Sequence, residues 1–147
     1  LMDTNPRAEL DEVKLKREPQ IKDVREGKLL EVMRDEMKPN YLAESENKSS
    51  VLDVCMDMAL SLGPDVFINQ SRALQKRADQ LNTIQSINIP VLIMCGSEDK
   101  LCTVERHEMM HNMISDSDLK IINNAGHMPT LEQPRETTEV LKEWLMK

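Results

Sequence analysis

The stretch Ile89-Pro90-Val91-Leu92-Ile93-Met94-Cys95-Gly96-Ser97-Glu98-Asp99 decides the fold. Val91 to Cys95 is an unbroken apolar run bracketed by Pro90 and Gly96. It is too short for a helix and does not alternate, so it reads as a strand buried on both faces, as in a parallel sheet. Downstream, Val104, His107, Met110, His111 and Ile114 fall on one side of a helix spanning about residues 103–114. Asp116-Ser117-Asp118 makes a turn, Leu119-Lys120-Ile121-Ile122 a second strand, and Asn123 to His127 a loop at its end. Pro134 suits the first turn of a last helix, with Val140, Leu141, Trp144 and Leu145 as its buried face. Strand, helix, strand, helix predicts an α/β fold with a right-handed crossover.

Upstream of this unit the chain reads as helical and charged. Leu1-Met2-Asp3-Thr4-Asn5-Pro6 resembles the end of a strand running into a loop. Residues 7–20 are polar and carry Pro19, which predicts a loop or a short helix. Leu29, Leu30, Met33 and Met37 share one face of a helix expected over 21–37, ended by Pro39. Val51, Leu52, Cys55, Met58, Ala59 and Leu62 form the clearest amphipathic stripe, stopped at Gly63-Pro64. Phe67, Leu74 and Ala78 mark a third helix over about 65–80. The expected organisation is therefore 1–6, 7–88 and 89–147.

A length of 147 residues suits one domain or most of one, and 39% hydrophobic with 31% charged residues suits a folded core. One Trp, one Tyr and one Phe against eleven Met leave that core to Leu, Ile, Val and Met. With 19 basic and 26 acidic residues the net charge is −7, which argues against nucleic acid or an anionic membrane surface as a partner. No apolar run approaches a membrane span, and the start lacks a signal-peptide pattern. Cys55, Cys95 and Cys102 make an odd count without metal-type spacing, which fits reduced thiols in a cytoplasm. The chain begins with Leu1 rather than Met, so it is expected to be a piece of something longer.

Chemistry concentrates after the two strands. Asp99 follows the first strand and His127 the second, so in a parallel sheet both loops leave the same C-terminal edge, where ligands bind. A carboxylate there can orient an imidazole, which then acts as general base toward a nucleophile. The order acid-then-histidine is the one α/β-hydrolases use, after an earlier serine.

At these residues the chain resembles the α/β-hydrolase fold family, specifically its C-terminal half with a helical cap. Ile89 to Asp99 is similar to strand seven and the acid loop of that family. Asn124-Ala125-Gly126-His127-Met128-Pro129, with Leu131-Glu132-Gln133-Pro134, is similar to the histidine loop and the start of the last helix, and Val140 to Leu145 to that helix. Gly63-Pro64-Asp65-Val66-Phe67 and Arg72-Ala73-Leu74 resemble cap segments of esterase-like members, and Leu1 to Thr4 the end of strand six. The resemblance implies a C-terminal part of the hydrolase sheet over 89–147, a cap over 7–88, and a serine hydrolase acting on an ester-like bond without a cofactor, and the Met-rich, aromatic-poor composition points to a small, aliphatic substrate. It implies Asp99 and His127 as two members of a Ser-Asp-His triad. The sequence departs from the family in lacking the nucleophile elbow Gly-x-Ser-x-Gly: its glycines are Gly27, Gly63, Gly96 and Gly126. The chain is therefore expected to be inactive alone, to need the missing N-terminal half, and to risk homo-oligomerising through an exposed sheet edge.

Other readings compete. His107-Glu108-Met109-Met110-His111 is a literal H-E-x-x-H on a helix, and i,i+4 imidazoles can share one Zn²⁺, with Glu132 or His127 as a third ligand. The bland alternative is a half-buried helix with two rim histidines. Glu98 and Asp3 are alternative acids. Cys95 should be inert inside its strand, and Cys102 is a candidate thiol without an evident base. Met33, Met37, Met56 and Met58 are either helix core or a soft lid over an apolar pocket. A non-catalytic, acidic helical interaction module is the remaining rival.

Overall fold

A computed structural model describes residues 1–147. Its elements run α1 (Asp11–Arg25), α2 (Leu29–Glu31), a π-helical turn (Val32–Met37), a 3₁₀ turn (Lys38–Asn40), α3 (Lys48–Lys76), α4 (Leu81–Gln85), β1 (Val91–Gly96), α5 (Val104–Met113), β2 (Ser117–Ile122), α6 (Pro129–Glu132) and α7 (Pro134–Leu145).

β1 and β2 pair in parallel, from Val91 opposite Ser117 to Gly96 opposite Ile122. Met2 bridges Met94 in parallel on the other side of β1, and the Asp3 amide donates to the Met94 carbonyl at 3.0 Å. β1 thus sits between two partners, which explains why Leu92 to Gly96 are all buried. Ile93 packs with Ile84, Met110 and Ile114 on one face of the sheet, and Leu92, Met94, Ile122 and Ala125 pack against Val140, Leu141 and Trp144 of α7 on the other. Leu145, expected in that buried face, is instead 73% exposed. β2 starts two residues earlier than the turn at 116–118 suggests, because Val91 already donates to the Asp116 carbonyl.

The helical region differs more from expectation. The polar stretch 7–20, expected as a loop or a short helix, instead leads into the 15-residue α1, which runs through Pro19. Its residues are strong helix formers, with Asp11 and Glu12 in the first turn and Lys22 and Arg25 in the last, both favourable to the helix dipole. The helix expected to continue to residue 37 instead ends at Arg25. Gly27 takes φ 88°, the Lys28 amide donates to the Asp23 carbonyl at 3.0 Å and the Gly27 amide to the Val24 carbonyl at 3.1 Å. This is a Schellman stop, which needs a residue tolerant of positive φ. The stop expected at Gly63-Pro64 is present: Gly63 takes a non-helical φ of 80° and ψ of 177°, so two helices meet at a kink there within Lys48–Lys76. No helix is long and apolar enough to cross a membrane.

Candidate active site

Each functional loop is shaped by its own backbone. After β1, the Asp99 Oδ1 accepts from the amides of Leu101 and Cys102 at 2.8 and 2.9 Å, which folds the loop around the carboxylate. After β2, Asn124 adopts φ 53° and its amide donates to the Ser97 Oγ at 3.1 Å, while the Glu98 amide donates to the Ala125 carbonyl at 2.8 Å. The two loops pass so closely that a side chain on Gly96 would collide with the Ala125 and Gly126 carbonyls. The result brings His127 Nδ1 to 2.9 Å from Asp99 Oδ2.

The Asp99 side chain is fully buried and that of His127 is 25% exposed. Burial alone would raise the Asp99 pKa, but the hydrogen bonds from His127, Cys102 and Leu101 and the His127 charge outweigh it and hold the carboxyl below its ordinary value. Burial alone would lower His127, but the Asp99 hydrogen bond and the nearby charges of Asp99, Asp3 and Glu132 raise it above its ordinary 6.5. His127 Nδ1 therefore carries the proton facing Asp99, and Nε2, which makes no hydrogen bond, is the basic nitrogen.

The imidazole loop is clasped by a residue whose role the sequence reading missed. Buried Glu132 accepts from the amides of Gly126 at 2.9 Å and Met128 at 3.1 Å with one oxygen, and from Ala43 at 2.7 Å with the other. The His127 amide itself donates to the Tyr41 carbonyl at 2.6 Å. A Cβ on Gly126 would lie 2.7 Å from the Ala43 nitrogen and the Tyr41 oxygen, so only glycine lets these segments meet. The one available signal was the stretch Leu131-Glu132-Gln133-Pro134 itself.

The zinc reading is overturned. His107 is fully buried, its Nδ1 bonds the Thr103 carbonyl at 2.9 Å, and its Nε2 accepts from the Thr4 amide at 3.2 Å, so both ring nitrogens are engaged. His111 Nδ1 bonds the Ser117 Oγ at 2.8 Å, and Glu132 serves the clasp instead of a metal. His107 is therefore not a rim residue but a core histidine tying the start of the chain to α5. Neither alternative acid bonds the imidazole: Glu98 is exposed, and Asp3, at φ 42°, accepts from the Gly96 amide at 3.2 Å and acts on His127 only through its charge. Burial, against that hydrogen bond, pushes the Asp3 carboxyl up to about 7. Burial likewise pushes the Cys95 thiol up to about 12 and raises Cys102, which leaves neither poised as a thiolate.

His127 opens onto a mostly apolar cavity of about 770 Å³ between the helical region and the strand-end loops. Met33, Met37 and Met58 line it; Met33 also belongs to the helical core with Val24, Leu29 and Val32, against which Met37 and Met56 pack.

No family model matches the chain. Among solved structures, a thermophilic esterase from Thermogutta terrifontis with malate bound superposes at a TM-score of 0.92 and 29% identity, over 99% of this chain and 54% of that one. The chain belongs to the α/β-hydrolase family. Among curated relatives, 3-oxoadipate enol-lactonase 1 of Acinetobacter baylyi is 35% identical over 74 residues, 50% of this chain and 27% of that protein. The proline iminopeptidase of Lactobacillus acidophilus is 37% identical over 67 residues, 46% of this chain and 22% of that protein. The chain spans about half the length of the solved hydrolase, and its matches take in only about a quarter of each curated relative.

Proposed function

We propose that this chain supplies the acid and the base of a Ser-Asp-His hydrolase that cleaves an ester-like bond in a small aliphatic substrate. The observation that carries the reading is the Asp99–His127 contact of 2.9 Å at the C-terminal ends of parallel strands, opening on an apolar cavity. Similar proteins named esterase and enol-lactonase support hydrolysis as the reaction class.

In this reading His127 Nε2 takes the proton of a serine hydroxyl as it attacks the carbonyl carbon. Asp99 holds the Nδ1–H tautomer and stabilises the imidazolium that forms. The same Nε2 then returns the proton to the leaving oxygen, releasing the alcohol and leaving an acyl-serine that water hydrolyses by the same route. The serine and the oxyanion donors come from an N-terminal half bearing Gly-x-Ser-x-Gly, so this chain alone does not turn over. An apolar groove of about 390 Å³, lined by Met2, Ile89, Val91, Leu92, Leu141 and Trp144, is the surface such a half would cover. Left uncovered, it would favour self-association. The helices of 7–88 act as the cap that shapes the substrate cavity, and three free thiols suit a cytoplasmic location.

The test is ester hydrolysis by this chain joined to a half that carries the nucleophile elbow. Turnover that vanishes in His127→Ala supports the triad. Turnover unchanged in that variant sinks it and leaves a non-catalytic interaction module as the better description.

A further inference from the structure

The cavity beside His127 is mostly apolar, yet cations line it in a chain of net charge −7. They are not equivalent. Arg17 is neutralised by Glu9, with Nε to Oε2 at 2.7 Å and Nη2 to Oε1 at 2.6 Å. Arg106 donates Nη1 to the Leu101 carbonyl at 2.7 Å and pairs with no carboxylate. Arg77 makes no ion pair, and its Nε is the single buried side-chain nitrogen or oxygen of the protein without a hydrogen-bond partner. Buried polar atoms are almost always satisfied, and a buried guanidinium nitrogen without a partner is costly.

Both arginines stand near the proposed chemistry. The positive charges of both favour the thiolate of Cys102, that of Arg106 more than that of Arg77. Ligand atoms of Cys102, Asp99 and His127 lie within 4.8 Å of one another. Arg77, Arg106 and His127 all line the one cavity, so a group held by the guanidinium groups shares that chamber with the imidazole. A planar fork of N–H donors matches a carboxylate in two-pronged fashion.

We propose that Arg77 and Arg106 form a carboxylate subsite, so that the substrate is an anionic ester whose aliphatic acyl chain ends in a carboxylate. This inference rests on the hydrolase reading for the position of the ester and deepens it by naming the substrate class. The apolar wall takes the methylene chain, the guanidinium groups take the far carboxylate, and His127 meets the ester end. Against a surface of net negative charge, the cationic pocket also gives such a substrate a salt-sensitive attraction.

The experiment compares p-nitrophenyl hydrogen glutarate with p-nitrophenyl valerate, which differ by carboxylate against methyl at the chain end. The protein is this chain joined to its nucleophile-bearing half. The expected result is a preference of about tenfold to a hundredfold in kcat/KM for the glutarate ester, the range of a charge-assisted hydrogen bond. That preference should shrink in high salt, collapse in Arg77→Met and return in part in Arg77→Lys. Hydrolysis of both esters with a ratio that Arg77→Met does not change overturns the subsite and leaves the hydrolase reading standing. If neither ester is hydrolysed, the hydrolase reading fails, and calorimetry with free glutarate on the same protein decides the subsite. Glutarate binding that Arg77→Met removes supports it, and no binding overturns it.

Discussion

The β/α unit of residues 89–147 and the helical region before it bury their apolar residues differently. In the β/α unit, Ile93, Met94, Cys95, Met110 and Ile122 are all essentially without solvent contact. In the helical region Ile21, Val24 and Val32 are buried as deeply, but Leu15, Val54, Met58, Leu60 and Leu62 stay exposed. The first builds a rigid platform for two loops. The second builds a wall around a cavity, so part of its apolar stripe faces empty space or solvent. Precision is needed where a proton moves, and adaptability where a substrate fits.

The largest expected effect tests the platform. In the protein joined to its nucleophile-bearing half, His127→Ala or Asp99→Asn should lower ester kcat by on the order of 10³-fold or more, read by steady-state kinetics. Retention of activity in both would erase the functional contrast between the regions. Next in size, Met110→Ala opens a void among Ile84, Ile93 and Ile114 and should cost about 2–5 kcal/mol in urea unfolding. Glu132→Gln keeps one acceptor oxygen but not the carboxylate that holds three amides, and should cost about 1–3 kcal/mol by the same measurement.

A finer test uses pH. His127 is raised above 6.5, so its pairing with Asp99 stabilises the fold fully below 6.5 and less as pH rises through the shifted value. Asp99 is lowered below 3.8, so its share is present above 3.8 and is lost as pH falls through its own shifted value. The pair should contribute most between these ordinary values, whereas catalysis needs the neutral imidazole and should rise on the alkaline side of 6.5. Asp99→Asn should move the kinetic inflection to lower pH, and an unmoved inflection would detach His127 from the rate. The smallest effect belongs to the wall: Met58→Ala, at a residue 52% exposed, should change stability by no more than about 0.5 kcal/mol.

The same contrast separates the legible residues from the illegible ones. The run Val91 to Cys95 stood out because five consecutive apolar residues between Pro90 and Gly96 suit a strand buried on both faces and little else. Asp99 and His127 stood out because parallel strands deliver their following loops to one edge. α1 did not, because Pro19 reads as a breaker while the formers around it carry the helix through. His107 and His111 show the limit of spacing alone. The i,i+4 geometry is real, but which nitrogens are already bonded depends on Thr4 and Ser117, remote from the motif's own pattern. The Glu132 clasp joins residues 89 positions apart, a distance no periodicity reports.

That clasp has a mechanical consequence. One carboxylate grips the imidazole loop through Gly126 and Met128 and the helical region through Ala43. The segment at 41–43 is therefore a fixed pivot, and any widening of the cavity has to come from bending beyond it, as at the Gly63 kink. In the proposed triad, guests of different girth are then admitted without turning the ring that accepts the proton. Glu132 separates two tolerances within one chamber: slack in what is let in, and none in the direction of transfer.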